Sequence, residues 1–354
     1  MGNQLDHGSD ADLAVVVLPI PMRRVGWTCA CVAALGGIAA AQAALAADVY
    51  RQSREDAWWT GPILAAGAST LPKGHVLIEP YLFNVMSRGR YDDDGTRHSG
   101  PRRHSYGSLT YLLYGLVDDF TVGVIPRFGY NDVSDGLDSS GVGLGDFTVQ
   151  GTYRLMQFRE GSRTPTMSLV LQETLPTGKY DRLGARPSDG IGSGAYTTTL
   201  SLNSQYFLWL PNGRIVRTRL NLSYAISDSA SVTDVSVYGT GEGFRGHARP
   251  GRAFVADSAW EYSMTRNWVL ALDIVYEHDS STTLSGFAPA LAGSATPLTR
   301  VQQRFGSSEV FTLAPAIEYN WNSQVGVIVG TVFTAAGRNA SATLVPVMAL
   351  NMVF

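Results

Sequence analysis

The chain has 354 residues, 45% of them apolar and only 16% charged, with 38 glycines and 10% aromatics. That size suits one large β-barrel or two modest soluble domains, and the glycine and aromatic content is high for a helical protein. The net charge of −3 gives no reason to expect nucleic acid as a partner, and arginine supplies almost all the positive charge because lysine occurs only at Lys73 and Lys179.

Residues 1–21 carry no export pattern and precede a second methionine, so they read as an over-extended start. Met22-Arg23-Arg24 then opens a short basic stretch, Cys29 to Leu45 is an Ala-rich apolar run, and Ala44-Leu45-Ala46 has the small-x-small form cut by signal peptidase. Residues 22–46 therefore predict a cleaved signal peptide. A retained membrane anchor is the alternative, and the immediate Ala-x-Ala exit argues against it. Both cysteines, Cys29 and Cys31, fall in this segment, so the exported chain is expected to lack thiols, disulfides and Cys-ligated metal. No Leu-x-x-Cys lipobox precedes either one. Residues 47–73, with Trp58-Trp59-Thr60-Gly61-Pro62 and an Ala-rich stretch, read equally as a plug in a barrel lumen or as a periplasmic tail with its Trp pair at the membrane interface.

From residue 74 to 354 the pattern changes to alternation at period two. No apolar run reaches the roughly 20 residues a membrane-spanning helix needs. Strands are expected at 75–86, 106–116, 120–130, 143–155, 166–174, 196–209, 214–226, 252–264, 268–278, 309–319, 324–334 and 343–354, an even set of twelve. In the ninth, Trp268, Leu270, Leu272, Ile274 and Tyr276 share one face while Val269, Ala271, Asp273, Val275 and Glu277 share the other. A soluble sandwich would alternate too, but the connections discriminate. Short links (117–119, 157–165, 210–213, 265–267, 320–323) alternate with long ones rich in Gly, Ser, Asp and Arg (87–105, 131–142, 175–195, 227–251, 279–307). With a periplasmic C-terminus, every short turn falls inside and every long loop outside, the layout of an all-β, antiparallel, up-and-down transmembrane barrel in a bacterial outer membrane. The last strand, apolar at every second position from Leu344 to Phe354, resembles an outer-membrane assembly signal, which makes the barrel-assembly machinery an expected partner through Phe354. Pro80, Pro126, Pro315 and Pro346 lie inside expected strands and require bulges or strand ends.

Turning the polar face inward puts Glu79, Arg127, Asp146, Arg154, Gln172, Arg217, Arg219, Asp257, Glu261, Asp273, Glu277 and Glu318 in the lumen and leaves the lipid face almost uncharged. An Arg on the lipid face near the midplane costs roughly 2–4 kcal/mol, whereas a wetted lumen tolerates it. The acids come mainly from the eighth to tenth strands and the arginines from the third, fourth and seventh, so a transverse field across a channel is expected. The competing expectation is a narrow interior filled by paired side chains.

Other chemistry is weak. His278-Asp279-Ser280 supplies hydrolase residue types, but strand neighbours point to opposite faces and cannot form a triad. The 131–138 loop fails the calcium-loop spacing. Asp92-Asp93-Asp94 beside Arg88, Arg90, Arg102 and Arg103 reads as a charged surface loop able to meet lipopolysaccharide. Gly143-Leu144-Gly145-Asp146 and 190–194 lack the strand-to-helix setting of a nucleotide loop. No cofactor, metal or catalytic residue is expected.

Several phrases carry a family likeness: Trp59-Thr60-Gly61-Pro62, Leu71-Pro72-Lys73-Gly74-His75, Gly143-Leu144-Gly145-Asp146 and the stretch from Glu173 to Tyr180. Asn212-Gly213-Arg214 and the stretch from Asn267 to Asp273 extend it. Together they resemble a family of proteobacterial outer-membrane proteins described as transporter-like or as phenol-degradation meta-pathway proteins. The resemblance implies a barrel among outer-membrane lipids and passive uptake of a small, often aromatic or hydrophobic solute. It implies no catalytic set. A non-transporting structural or adhesive barrel is the second reading, and an outer-membrane lipid hydrolase the third.

Overall fold

The computed structural model describes residues 51–290 and 297–354. The expected over-extended start, signal peptide and both cysteines lie outside the described residues. In chain order the strands are β1 (Val76–Tyr91), β2 (Arg97–His98), β3 (Arg103–Val117), β4 (Phe120–Ile125), β5 (Arg127–Val133), β6 (Gly143–Leu144), β7 (Phe147–Met156), β8 (Thr166–Leu175), β9 (Thr197–Trp209) and β10 (Ile215–Ser227). They continue as β11 (Ala230–Thr233), β12 (Arg245–Arg249), β13 (Ala253–Ser263), β14 (Trp268–Asp279), β15 (Thr283–Pro289), β16 (Leu298–Arg304), β17 (Ser308–Asn320), β18 (Val325–Arg338) and β19 (Ala340–Val353). Two single 3-10 turns, Arg54–Asp56 and Pro187–Asp189, are the helical content of the described residues, and no described helix is long and apolar enough to cross a membrane.

The main sheet closes on itself: β1 pairs with β19 on one side and with β3 on the other, and every neighbouring pair is antiparallel. Setting aside the two-residue β2, which pairs only with the end of β1, and counting the broken strands β4/β5 and β6/β7 once each gives a twelve-strand up-and-down barrel. Closure removes the sheet edges that would otherwise expose unpaired backbone to lipid. The start of β1 also meets the residue after β19, since Val76 and Phe354 exchange backbone hydrogen bonds of 3.0 and 2.9 Å.

The prolines fit by local lapses in the ladder. Pro126 splits the third strand into β4 and β5. Between the pairs Ile78↔Met352 and Tyr81↔Ala349 the ladder skips Glu79 and Pro80, and it skips Pro315 between Leu313↔Phe333 and Ala316↔Gly330. Pro346 sits in a third such gap, between Phe83↔Val347 and Met86↔Leu344. At Pro80, Pro315 and Pro346 a missing N–H thus interrupts one ladder and leaves the strand intact.

Outward positions are apolar and exposed, as with Leu220, Leu222, Leu270, Ile274, Ile317 and Val329. On β14, Trp268, Leu270 and Ile274 point out while Val269, Ala271, Asp273 and Val275 are buried. Trp268, Tyr319 and Trp321 make a chain of ring contacts at 4.7 and 5.5 Å beside the short-turn end, in the manner of an interfacial aromatic girdle.

Two features depart from the sequence expectation. The last outer connection is a tight turn at Asn339 (φ 49°), because β18 and β19 run on to Arg338 and from Ala340, and Asn tolerates the left-handed conformation. The long connections 227–251 and 279–307 are not irregular either: β11, β12, β15 and β16 pair into a separate four-stranded antiparallel sheet. It covers its own small core of Val232, Phe244, Ala248 and Leu284.

Candidate functional site

The chain before β1 hydrogen-bonds with interior-facing side chains and with the short-turn end. Gln52 donates its backbone N–H to the Gly213 carbonyl (2.9 Å) and its side-chain amide to Ser263 Oγ (2.8 Å), and Trp58 donates its N–H to the Arg266 carbonyl (3.0 Å). Further in, the Thr60 and Gly61 N–H groups donate to Glu318 Oε2 (2.7 and 3.2 Å). The Ile63 and Ala65 N–H groups donate to the two oxygens of Asp273 (3.1 and 3.0 Å). The carbonyls that follow are met by donors from the opposite wall: Arg219 to Ala65 (2.7 Å), Asn221 to Ala66 (2.9 Å) and Asn203 to Gly67 (3.3 Å). The segment then returns to the turn end, with the Leu71 N–H on Thr121 Oγ1 (2.8 Å) and the Lys73 N–H on Asp118 (2.9 Å). Strand-less backbone at this depth needs its polar groups satisfied by protein, and these side chains do that.

Small residues make the room. Gly61 adopts φ +128°, and a Cβ there would lie 3.1 Å from the Arg219 guanidinium. A Cβ on Gly330 of β18 would lie 2.6 Å from Ile63 Cδ1. Ile63 packs in a cluster with Tyr81, Ala271, Ala314, Ile328, Val347 and Ala349, so one flank of the interior is filled. On the other flank, between residues 60–71 and the walls of β1, β3, β4, β7, β8, β9, β10, β13 and β19, lies a cavity of about 350 Å³. Its lining mixes apolar groups (Leu77, Tyr81, Tyr111, Leu113, Val170, Val255) with uncharged polar ones (Gln150, Gln172, Ser201, Asn203, Asn221, Ser223) and the charged Glu79, Arg219 and Asp257.

Eight of the twelve residues expected to face the lumen surround this segment or cavity. Glu261 is fully buried and takes Arg217 as a bidentate partner (Nε to Oε2 2.7 Å) and Arg219 as a second (3.1 Å). Arg217 also lies over the Trp59 ring, 4.7 Å from its centroid. Asp273 and Glu318 hold the segment as described, Glu79 accepts from Asn351 (3.0 Å), and Gln172 donates to Gln150 (2.9 Å). Asp257 lines the cavity.

The other four sit elsewhere. Arg127 is exposed where Pro126 breaks the third strand. Asp146, at the break between β6 and β7, accepts from the Gly178 N–H (2.9 Å) and from the Ser193 N–H and hydroxyl (both 2.7 Å), so it fastens the 176–196 connection. Arg154 pairs with Asp119 in the short-turn end. Glu277 is half-buried on β14, between Val255 and Val310.

Two of the arginines expected to form one side of a transverse field are paired locally instead. Arg217 and Glu261 are direct partners across the β10–β13 ladder, so the arginines neutralise an acid in their own wall. Burial explains the preference, since an arginine beside a buried carboxylate is far better paired than one facing it across a lumen. Outside the barrel wall, Tyr238 donates its hydroxyl to the Ser193 carbonyl, and burial pushes that phenol up to about 12.

A closed barrel with an apolar belt, aromatic girdle and polar interior is an outer-membrane β-barrel, and the bacterial outer membrane is its location. The chain belongs to the family described as the putative MetA-pathway of phenol degradation, whose profile matches residues 83–343. Among solved structures it is similar to an outer-membrane channel from Pseudomonas putida F1, at 15% identity and a TM-score of 0.61 over 82% of this chain and 100% of that one. It also matches the toluene transporter TbuX of Ralstonia pickettii at 10% identity, with a TM-score of 0.38 over 87% of this chain and 99% of that one. The β domain of the Bordetella autotransporter BrkA matches at 9% identity and a TM-score of 0.42, covering 80% and 100%. No curated protein matches the sequence.

Proposed function

We propose that the protein is a passive outer-membrane channel for a small solute, and that residues 51–73 act as a plug that narrows the lumen to a passage along the β8–β10 side. The observation that carries this reading is the cavity of about 350 Å³ left beside the inserted segment, lined by both apolar and uncharged polar groups. A small, partly apolar molecule, including an aromatic one, suits such a lining. The family's link to phenol degradation agrees with that substrate class. Proteoliposome swelling tests it: small neutral solutes enter wild-type vesicles slowly, and vesicles bearing a variant without residues 51–73 faster. Exclusion of solutes by both proteins refutes the channel.

One surface favours an added role for the outer loops. Across the four-stranded loop sheet, Thr233, Arg245, Phe287 and Arg300 form one row and Arg249, Thr283 and Arg304 another. All four arginines are exposed, and among the described residues none has an acidic partner. Arginine clusters of this kind suit phosphate, so this face docks the phosphorylated headgroups of neighbouring lipopolysaccharide. Joint replacement of Arg245 and Arg300 by Glu weakens binding of phosphorylated, but not dephosphorylated, lipopolysaccharide. Equal binding by the wild type and this variant removes this role. Phe354, exposed at the end of β19, presents the assembly signal to the barrel-assembly machinery.

A further inference from the structure

Asn221 on β10 and Asp257 on β13 are direct partners across their ladder, and both line the cavity. They are 7% and 5% exposed. Asn221 commits its amide N–H to the Ala66 carbonyl, which leaves its Oδ1 without a donor. Asp257 is more unusual. Glu261 accepts from two arginines, Asp273 and Glu318 from backbone N–H groups, and Glu79 from Asn351, yet Asp257 accepts from no described residue and its Oδ1 is sealed from solvent.

Buried polar atoms in folded proteins nearly always have a partner, and each exception calls for a physical reason. The cation nearest in sequence on the same face, Arg219, is already committed to Glu261 and the Ala65 carbonyl. Asp257 therefore brings to the cavity wall one oxygen, Oδ2, that is not sealed and has no protein donor, with Asn221 beside it. The cavity is at the small end of the range for ligand sites, roughly 300–1,000 Å³. Its remaining lining gives an apolar body somewhere to lie, with Leu77, Tyr81, Tyr111 and Val255 among the wall residues.

We infer that the Asp257 carboxylate, beside Asn221, forms a selectivity site that receives the hydrogen-bond donor of a passing solute, a hydroxyl or ammonium on a compact and partly apolar body. The same site disfavours carboxylates, whose oxygens bring no donor to the Asp257 acceptor. This inference rests on the channel reading and specifies what the channel selects.

Four probes of matched size separate the possibilities: benzyl alcohol, benzylammonium, toluene and benzoate. Binding to the purified, folded exported chain is measured by calorimetry, and conductance of the same preparation is recorded in planar bilayers. The alcohol and the ammonium bind about tenfold more tightly than toluene or benzoate, the increment expected of one charge-assisted hydrogen bond. Asp257→Val removes that preference. Asp257→Asn, which keeps an acceptor and loses the charge, retains the preference for the alcohol and lowers that for the ammonium, and it serves should the Val variant fail to fold. Equal binding of toluene and benzyl alcohol by the wild type, or an unchanged preference in both variants, overturns the site. Conductance without any probe preference overturns the site and leaves the channel standing. A preference without conductance, also after removal of residues 51–73, upholds the site and overturns the channel.

Discussion

Asp273 is the strongest single tether of the inserted segment, because both its oxygens accept backbone N–H groups, from Ile63 at 3.1 Å and Ala65 at 3.0 Å, and it is wholly buried. A hydrogen bond to a charged group contributes about 1.5–3 kcal/mol net, and two sharing one carboxylate are less than additive. Asp273→Ala should then weaken docking of the segment by about 2–4 kcal/mol, which raises its undocked population roughly thirty- to several-hundred-fold. Glu318, Arg219, Asn221 and the Ile63 cluster still hold the segment in that variant, so the single change loosens it and the double change Asp273→Ala with Glu318→Ala frees it. Labelling of a cysteine placed at Ala68, which is fully buried, reads this directly. No other cysteine occurs from residue 51 onward. The maleimide reaction rate should rise with Asp273→Ala and rise further in the double variant. Equal labelling of all three proteins would refute the view that these carboxylates hold the segment.

Removing Arg217 leaves Glu261 with one partner in a fully buried position, and breaking such a pair costs about 3–5 kcal/mol. Heat-dependent gel mobility should show Arg217→Ala unfolding at distinctly lower temperature than the wild type. Gly61→Ala forces a Cβ into a φ of +128° against Arg219 and should increase labelling at position 68 without lowering barrel stability. Leu270→Arg, on the lipid face of β14, should cost roughly 2–4 kcal/mol in folding into vesicles. An Arg at exposed Gln302 of the loop sheet should cost nothing measurable.

The barrel strands were legible because alternation fixes the side on which each residue lies, and a closed sheet with lipid outside makes that alternation strict. The third and fourth strands were legible as wholes but not as broken pieces, since Pro126 and Gly145-Asp146 mark interruptions whose effect depends on neighbouring ladders. The pairing of Arg217 with Glu261 shows a limit of parity: it puts both inside, and register alone makes them opposite. That register was in part recoverable, because consecutive strands of an up-and-down barrel are neighbours. The loop sheet escaped notice because β11, β12 and β16 are short and polar, and the 279–307 stretch has the composition of a solvated loop. Residues 47–73 showed no periodicity at all. The uncharged run 57–72, with Ala65-Ala66-Gly67-Ala68 in it, was the available signal, since a chain that threads among interior side chains must be small and need not be soluble.

The most direct measurement of the central claim is single-channel recording in planar bilayers of the protein with and without residues 51–73. Small steps for the intact protein and several-fold larger ones for the truncated protein are the predicted result. Equal steps from the two proteins, or no current from either, would contradict it.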